Sequence, residues 1–304
     1  MDKGSDEGVA WIRDLYRDEI RSGFLVTAHR KRIWEIELTM LAELERVCEK
    51  YGLFYYADGG TLLGAVRHQG FIPWDDDIDV MMPRPDYEKL QEVGPTEFES
   101  PLFFQNAYTD GAFYHITKLR HSGTLGLEHP KMRNHQGIFL DIFPLDAVRD
   151  GSPRMEKVAL IQMEMYLLSV QEELYRYLVA HGMKTYISTA VREALLQLPP
   201  KERYCEYERF QTEHFAESKR LNFFGFELEG RYPHIDRAWY SDTVRLPFEG
   251  KTIVAPVGYE PLLHELFGDY HQFVKFASDH NGDTLFSPDV PYTDYYAVLD
   301  AKGH

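Results

Sequence analysis

Residues 75–79 read Asp-Asp-Asp-Ile-Asp, four carboxylates in five positions. Anions packed so closely along a chain repel one another, and a cation offsets that repulsion. On a strand, side chains alternate between faces, so Asp77 and Asp79 are expected to point the same way. Two carboxylates on one face suit a hard divalent ion. Mg²⁺ takes one or two carboxylates and completes its octahedron with phosphate oxygens and water. A solvated acidic turn, with Asp75 or Asp76 capping a backbone N–H, would carry the same residues, so the neighbouring segments must decide.

Upstream, Leu53-Phe54-Tyr55-Tyr56-Ala57 predicts a short buried strand, followed by the turn Asp58-Gly59-Gly60-Thr61 and a short helix over 61–66. Gly59 and Gly60 let backbone approach an anion, a helix N-terminus offers unpaired N–H groups, and the Thr61 hydroxyl adds a donor. A phosphate cradle and a metal-binding strand separated by one helix are more specific together than either alone. A third carboxylate, Asp141, lies within Ile138-Phe139-Leu140-Asp141-Ile142-Phe143. Burying it is costly unless it is paired or bound to metal, although an exposed edge-strand face would also accept it. Lys118 and Arg120 flank Leu119, so both could face the site from a strand and offset phosphate charge; a solvated strand face is the alternative. Arg67 is a looser candidate of the same kind.

The remaining segments supply scaffold. Ile33, Ile36, Met40, Leu41, Leu44, Val47 and Cys48 recur at helical spacing, and Gly52 follows as a stop. Strands are predicted at 78–82, 113–119 and 137–143, and a helix at 86–93. From about Arg154 to Arg220 the pattern is helical, and after Asn222 short strands return. Strands, then helices, then strands predict an α+β fold. The expected organisation is a polar lead-in at 1–32, a core at 33–150, a helical insertion at 151–220 and a C-terminal part at 221–304 that completes the core. With 33 basic and 49 acidic residues the net charge is −16, a poor match to nucleic acid or an anionic membrane surface. Cys48 and Cys205 make no disulfide framework, which predicts a reducing compartment. No secretory signal or transmembrane-length apolar stretch is visible, so a cytoplasmic location is expected. His121, His129 and His135 lack zinc-site spacing, and neither a Gly-x-Ser-x-Gly elbow nor a Walker loop occurs.

Strand, Gly-Gly turn, helix, Asp-x-Asp strand and a later strand Asp resemble the nucleotidyltransferase fold of polymerase β-like enzymes. More narrowly, the run from Asp58-Gly59-Gly60-Thr61-Leu62-Leu63-Gly64-Ala65-Val66-Arg67-His68 through Pro73-Trp74-Asp75-Asp76-Asp77-Ile78-Asp79 resembles the LicD family signature. The likeness extends to Lys118-Leu119-Arg120-His121-Ser122-Gly123-Thr124, to Leu140-Asp141-Ile142-Phe143-Pro144-Leu145-Asp146, and to Leu266-Phe267-Gly268-Asp269-Tyr270, where Phe267 replaces the family's usual Tyr. LicD proteins move phosphocholine from CDP-choline onto bacterial surface glycans, and the related fukutin and fukutin-related protein use CDP-ribitol. The resemblance implies a nucleotidyltransferase-like mixed sheet with flanking helices and a helical insertion. It implies a Mg²⁺-dependent phosphotransferase (Mn²⁺ as alternative) acting on a CDP-linked donor and a glycan or lipid-linked glycan acceptor, with peripheral membrane contact. Asp77, Asp79 and Asp141 would be metal and catalytic residues; Gly59, Gly60, Thr61, Arg67, Lys118 and Arg120 would bind donor phosphate. A choline head group wants aromatic faces, and Trp74 is the nearest in sequence, with Tyr55, Tyr56, Phe71, Tyr108 and Tyr114 as further options. A nucleotidyltransferase releasing pyrophosphate, an Asp-x-Asp glycosyltransferase and a non-catalytic binding module are the competing readings.

Overall fold

The computed structural model describes residues 17–110, 115–228, 230, 233–274 and 285–301. It opens with a hairpin, β1 (Glu19–Arg21) and β2 (Phe24–Val26), and the long helix α1 (Ala28–Tyr51). Thr27 caps α1 by accepting the Arg30 N–H, and Gly52 ends it in the left-handed region at φ 66°. The stripe Ile33, Met40, Leu41, Leu44 and Val47 is buried, as its spacing predicts. The attached structure thus begins before residue 33: the expected lead-in is a hairpin and a helix start from Glu19 onward, while residues 1–16 lie outside the described set.

There follow β3 (Tyr56–Ala57), α2 (Gly59–His68), β4 (Asp79–Pro83), α3 (Arg84–Glu97), β5 (Leu102–Gln105), β6 (Thr117–His121), β7 (Leu125–Leu127) and β8 (Phe139–Ala147). The sheet order is β3-β4-β8-β6-β5. β4 and β8 run parallel, and the other neighbours in this order are antiparallel. This is the mixed sheet of an α+β fold. β8 lies centrally and is buried along almost its whole length, which is why its sequence is nearly continuous in apolar residues. The strand expected at 113–119 is β6, starting later, with residues 113–114 outside the described set.

The middle of the chain forms α4 (Pro153–Val170), α5 (Glu172–Ala180), α6 (Thr189–Gln197) and α7 (Pro200–His214). These helices have a core of their own that includes Met165, Leu168, Tyr175, Tyr204 and Tyr207. Arg84, buried at the start of α3, joins it to the sheet. Its Nε and Nη2 donate to the two Asp146 oxygens of β8 at 2.7 and 2.9 Å, and Nη1 lies 3.5 Å from Glu208 of α7. The chain ends with β9 (Leu221–Asn222), which pairs with β8, then α8 (Phe224–Leu228), the hairpin β10 (Thr243–Phe248) and β11 (Lys251–Pro256), α9 (Tyr259–Phe267), β12 (Leu285–Ser287) and α10 (Tyr292–Ala301).

β12 pairs with β7, and Tyr292 of α10 packs on His135 with ring centroids 4.2 Å apart. His135 also stacks on Phe103, and its Nδ1 accepts the Gly137 N–H at 3.3 Å, which places its proton on Nε2 beside Ser122 Oγ at 2.9 Å. Burial, with the charges of Arg120 and His121, pushes the imidazole down to about 3. The unfolded chain binds a proton near pH 6.5 that the folded chain refuses, so stability is lost as pH falls from about 6.5 toward 3. The melting temperature is expected to drop over this window, and His135→Gln to flatten the drop; an unchanged slope would remove His135 as its cause.

Candidate active site

Asp79 opens β4, and its backbone is held on both sides. Its carbonyl accepts the Asp58 N–H at 3.1 Å, and its N–H donates to Thr61 Oγ1 at 2.9 Å. Thr61 therefore acts first on Asp79 rather than on a ligand. The parallel register sets Asp79 opposite Asp141 of β8, and Lys118 of β6 stands opposite Asp141 on its other side. Three ionisable side chains thus lie in one row across three strands. Lys118 Nζ sits 2.7 and 2.9 Å from the two Asp141 oxygens and 2.9 Å from Glu128 Oε1.

Asp77 lies outside the strand, which starts at Asp79. The expectation that strand alternation orients both residues is corrected to a loop residue beside a strand residue. The two carboxylates still interact: burial raises Asp79 well above the usual carboxylate range, and the charges of Asp77, Asp141, Asp75 and Asp58 raise it further. Asp75, Asp76 and Asp77 bring ligand oxygens within 4.8 Å of one another. Asp77, Asp79 and Asp141 likewise offer only carboxylate oxygens, the set a hard divalent cation takes. A dicationic centre would also relieve the mutual repulsion that disfavours ionised Asp79, so the residues present fit Mg²⁺ or Mn²⁺.

The glycine turn serves this cluster directly. A Cβ on Gly60 would lie 2.5 Å from Asp75 Oδ2, and one on Gly59 3.6 Å from Asp79 Oδ2. Gly60 makes room for a carboxylate, and Gly59 also adopts φ +49°, where a side chain is strained. Asp58, at the head of α2, is buried, which pushes its carboxyl up to about 6 against the lowering effect of the Gly59 N–H.

The cations are placed differently from the expectation. Arg120 is fully buried, and its guanidinium is used by Gln105 Oε1, the Gly137 carbonyl (2.9 Å) and Glu128 Oε2. It builds the sheet's end rather than facing a donor phosphate. Lys118 is likewise enclosed; burial disfavours its charge, but Asp141 and Glu128 raise its pKa overall. Sequence reasoning missed Glu128, whose partners become evident only once β6 and the end of β7 are adjacent. Arg67, at the end of α2, donates to the Tyr270 and Gln272 carbonyls at 3.3 and 3.0 Å and stacks over Phe273, tying α2 to the segment after α9. Trp74 is half-buried, edge-on to Phe24 and His68. Tyr55, Tyr56 and Phe71 are core residues, Tyr108 bonds Glu208 away from this row, and Tyr114 lies outside the described residues. A cavity of about 720 Å³ lined by Phe54, Tyr56, Leu221 and Tyr240 touches β4 at Pro83, the end opposite Asp79.

Residues 52–164, from β3 into α4, match the nucleotidyltransferase domain described as LicD/FKTN/FKRP. Over these residues the chain is similar to the LicD family. It is 26% identical over 248 residues to the lipopolysaccharide cholinephosphotransferase LicD of Haemophilus influenzae, covering 77% of this chain and 88% of that protein. It is 32% identical over 74 residues to the human ribitol 5-phosphate transferase FKRP, covering 23% of this chain and 15% of that protein. An uncharacterized Rickettsia prowazekii protein is 42% identical over 72 residues, covering 23% of this chain and 27% of that protein. The LicD-family match spans every carboxylate of the row and the turn beside it. Among the described residues no helix is long and apolar enough to cross a membrane.

Proposed function

We propose that this protein is a divalent-cation-dependent phosphotransferase. It moves a substituted phosphate, phosphocholine in the leading case, from a CDP-linked donor to a hydroxyl of a cell-surface glycan or its lipid-linked precursor, and releases CMP. The observation that carries the reading is the register that sets Asp79 beside Asp141, with Asp77 close enough to perturb Asp79. The assigned relatives support it, since one is a cholinephosphotransferase and the other a ribitol 5-phosphate transferase.

Phosphoryl transfer is mainly positioning and charge neutralisation. Asp77, Asp79 and Asp141 would hold Mg²⁺ or Mn²⁺, which neutralises diphosphate charge when bound. Gly59 and Gly60 bring the first N–H groups of α2 beside the carboxylates, where a donor phosphate would meet them. The acceptor oxygen bonds to the distal phosphorus as the bridging P–O bond breaks, the electron pair leaves with CMP, and the hydroxyl proton passes to Asp141. Lys118 holds Asp141 in place for that role. Choice of the cytidine class follows the LicD resemblance. Trp74 is offered as a face for a cationic head group, and a lipid-linked acceptor would place the reaction at the cytoplasmic face of a membrane.

The test is incubation with Mg²⁺, an acceptor glycan and CDP-choline, other CDP-alcohols, CTP or UDP-sugars. CMP from a CDP-alcohol supports the reading; pyrophosphate from CTP would make the enzyme a nucleotidyltransferase, and turnover of a UDP-sugar alone a glycosyltransferase. Asp141→Ala is expected to lower turnover by at least about two orders of magnitude, the range for a lost general base, and to weaken Mg²⁺-dependent donor binding by calorimetry. Donor binding kept in full would take Asp141 out of the cation's shell and leave it the proton-accepting role alone.

A further inference from the structure

Glu37 lies midway along α1 and is completely buried. Among the described residues neither of its carboxylate oxygens has a hydrogen-bond partner. The face of α1 that carries it is turned to the acidic loop. One and two turns earlier, Trp34 Nε1 and Arg30 Nη1 both donate to the Asp75 carbonyl, at 3.2 and 2.6 Å. Residues spaced by three or four along a helix share a face, so Glu37 continues the line that Arg30 and Trp34 begin. The charges that act on Glu37 are those of Asp77, Asp76 and Asp75, opposed by Arg30.

Neither protonation state of this side chain is satisfied by protein groups. Ionised, it is a buried anion beside other anions, which is costly without a counter-charge. Protonated, it still buries a hydroxyl donor and a carbonyl acceptor with nothing to meet them. A hard cation resolves both, because it supplies the charge and takes the oxygen lone pairs. The 75–77 loop already gathers three ligand oxygens within 4.8 Å of one another. Tethering of that loop to α1 through the Asp75 carbonyl fixes where those oxygens lie relative to Glu37.

We propose that Glu37, with Asp75, Asp76 and Asp77, holds a second divalent cation between α1 and the acidic loop, distinct from the one assigned to Asp79 and Asp141. Asp77 lies between the two positions and touches both. The second ion closes the loop onto the helix, so its role is to set Asp77 rather than to meet the donor. An all-carboxylate shell selects Mg²⁺, Mn²⁺ or Ca²⁺ over softer metals.

The inference shares Asp77 with the proposed transfer reaction but is tested without it. Metal-stripped full-length chain is titrated with Mn²⁺ by calorimetry, and melting temperatures are recorded with and without the ion. Wild type is expected to bind about two equivalents, and Glu37→Gln and Asp76→Asn each about one. Asp141→Asn should lose the other equivalent. Without Mn²⁺, Glu37→Gln should melt at or above the wild-type temperature, since a buried unpartnered carboxyl has been removed. If Glu37→Gln keeps wild-type stoichiometry and affinity, the second site does not exist. If Glu37→Gln and Asp141→Asn abolish the same single equivalent, there is one site and the inference also fails. Asp76→Asn provides the reading should Glu37→Gln not fold. Absence of transfer with every CDP compound would overturn the proposed function and leave the Mn²⁺ stoichiometry as the judge of this one.

Discussion

Asp79→Asn and Asp77→Asn are each expected to lower CMP release at least about a hundredfold, comparable to removing one preorganised charge-stabilising group from an active site. The fold should survive. Asp79 is half-buried among carboxylates that raise its pKa, so an amide of the same shape relieves repulsion and leaves the cation-free melting temperature unchanged or higher. What should disappear is the rise in melting temperature on adding Mg²⁺, because an ion that binds only the folded chain stabilises by mass action. Turnover, circular dichroism and melts with and without Mg²⁺ check this together. Near-normal turnover in both variants would remove the cation from the reaction.

The largest stability effect is expected at Arg84. Its guanidinium forms a bidentate pair with Asp146, bonds Glu88 Oε1 at 3.0 Å and approaches Glu208. Arg84, Asp146 and Glu208 are all buried. Arg84→Met leaves the buried carboxyl groups of Asp146 and Glu208 without their cation, and breaking a buried pair from one side costs about 3–5 kcal/mol. Urea unfolding of Arg84→Met should show that loss, and Arg84→Met combined with Asp146→Leu should recover part of it, because the stranded charge is then gone. A single variant with a wild-type midpoint would mean that the helical block and the sheet are not joined through this pair.

The readable parts of the sequence were those governed by local spacing. The α1 stripe, the Gly52 stop and the turn at 58–61 follow from periodicity and backbone conformation alone. Asp141 was legible because an acid among large apolar residues demands a partner. Lys118 falls within the strand expected at 113–119 and Arg120 one residue past it, both in β6, but their burial is not legible in the sequence. It depends on Glu128, which reaches them only because β7 turns back beside β6. β7 and β12 are three residues each and too short to announce a period. Glu37 is marked in the sequence by its spacing: it falls four residues after Ile33 and four before Leu41, an acid on the apolar stripe of α1.

The two backbone bonds that clamp Asp79 to the turn at 58–61 separate two tasks that many enzymes entangle. The carboxylate proposed to hold the cation is aimed by main-chain geometry before any ligand arrives, so its reorganisation is completed during folding. In the proposed reaction, recognition of a head group or acceptor falls to segments that take no part in those bonds, and the stretch after α9 that Arg67 tethers is one such segment. Such a chain can be retuned toward a new partner molecule by changes at its periphery while the reactive corner keeps its shape.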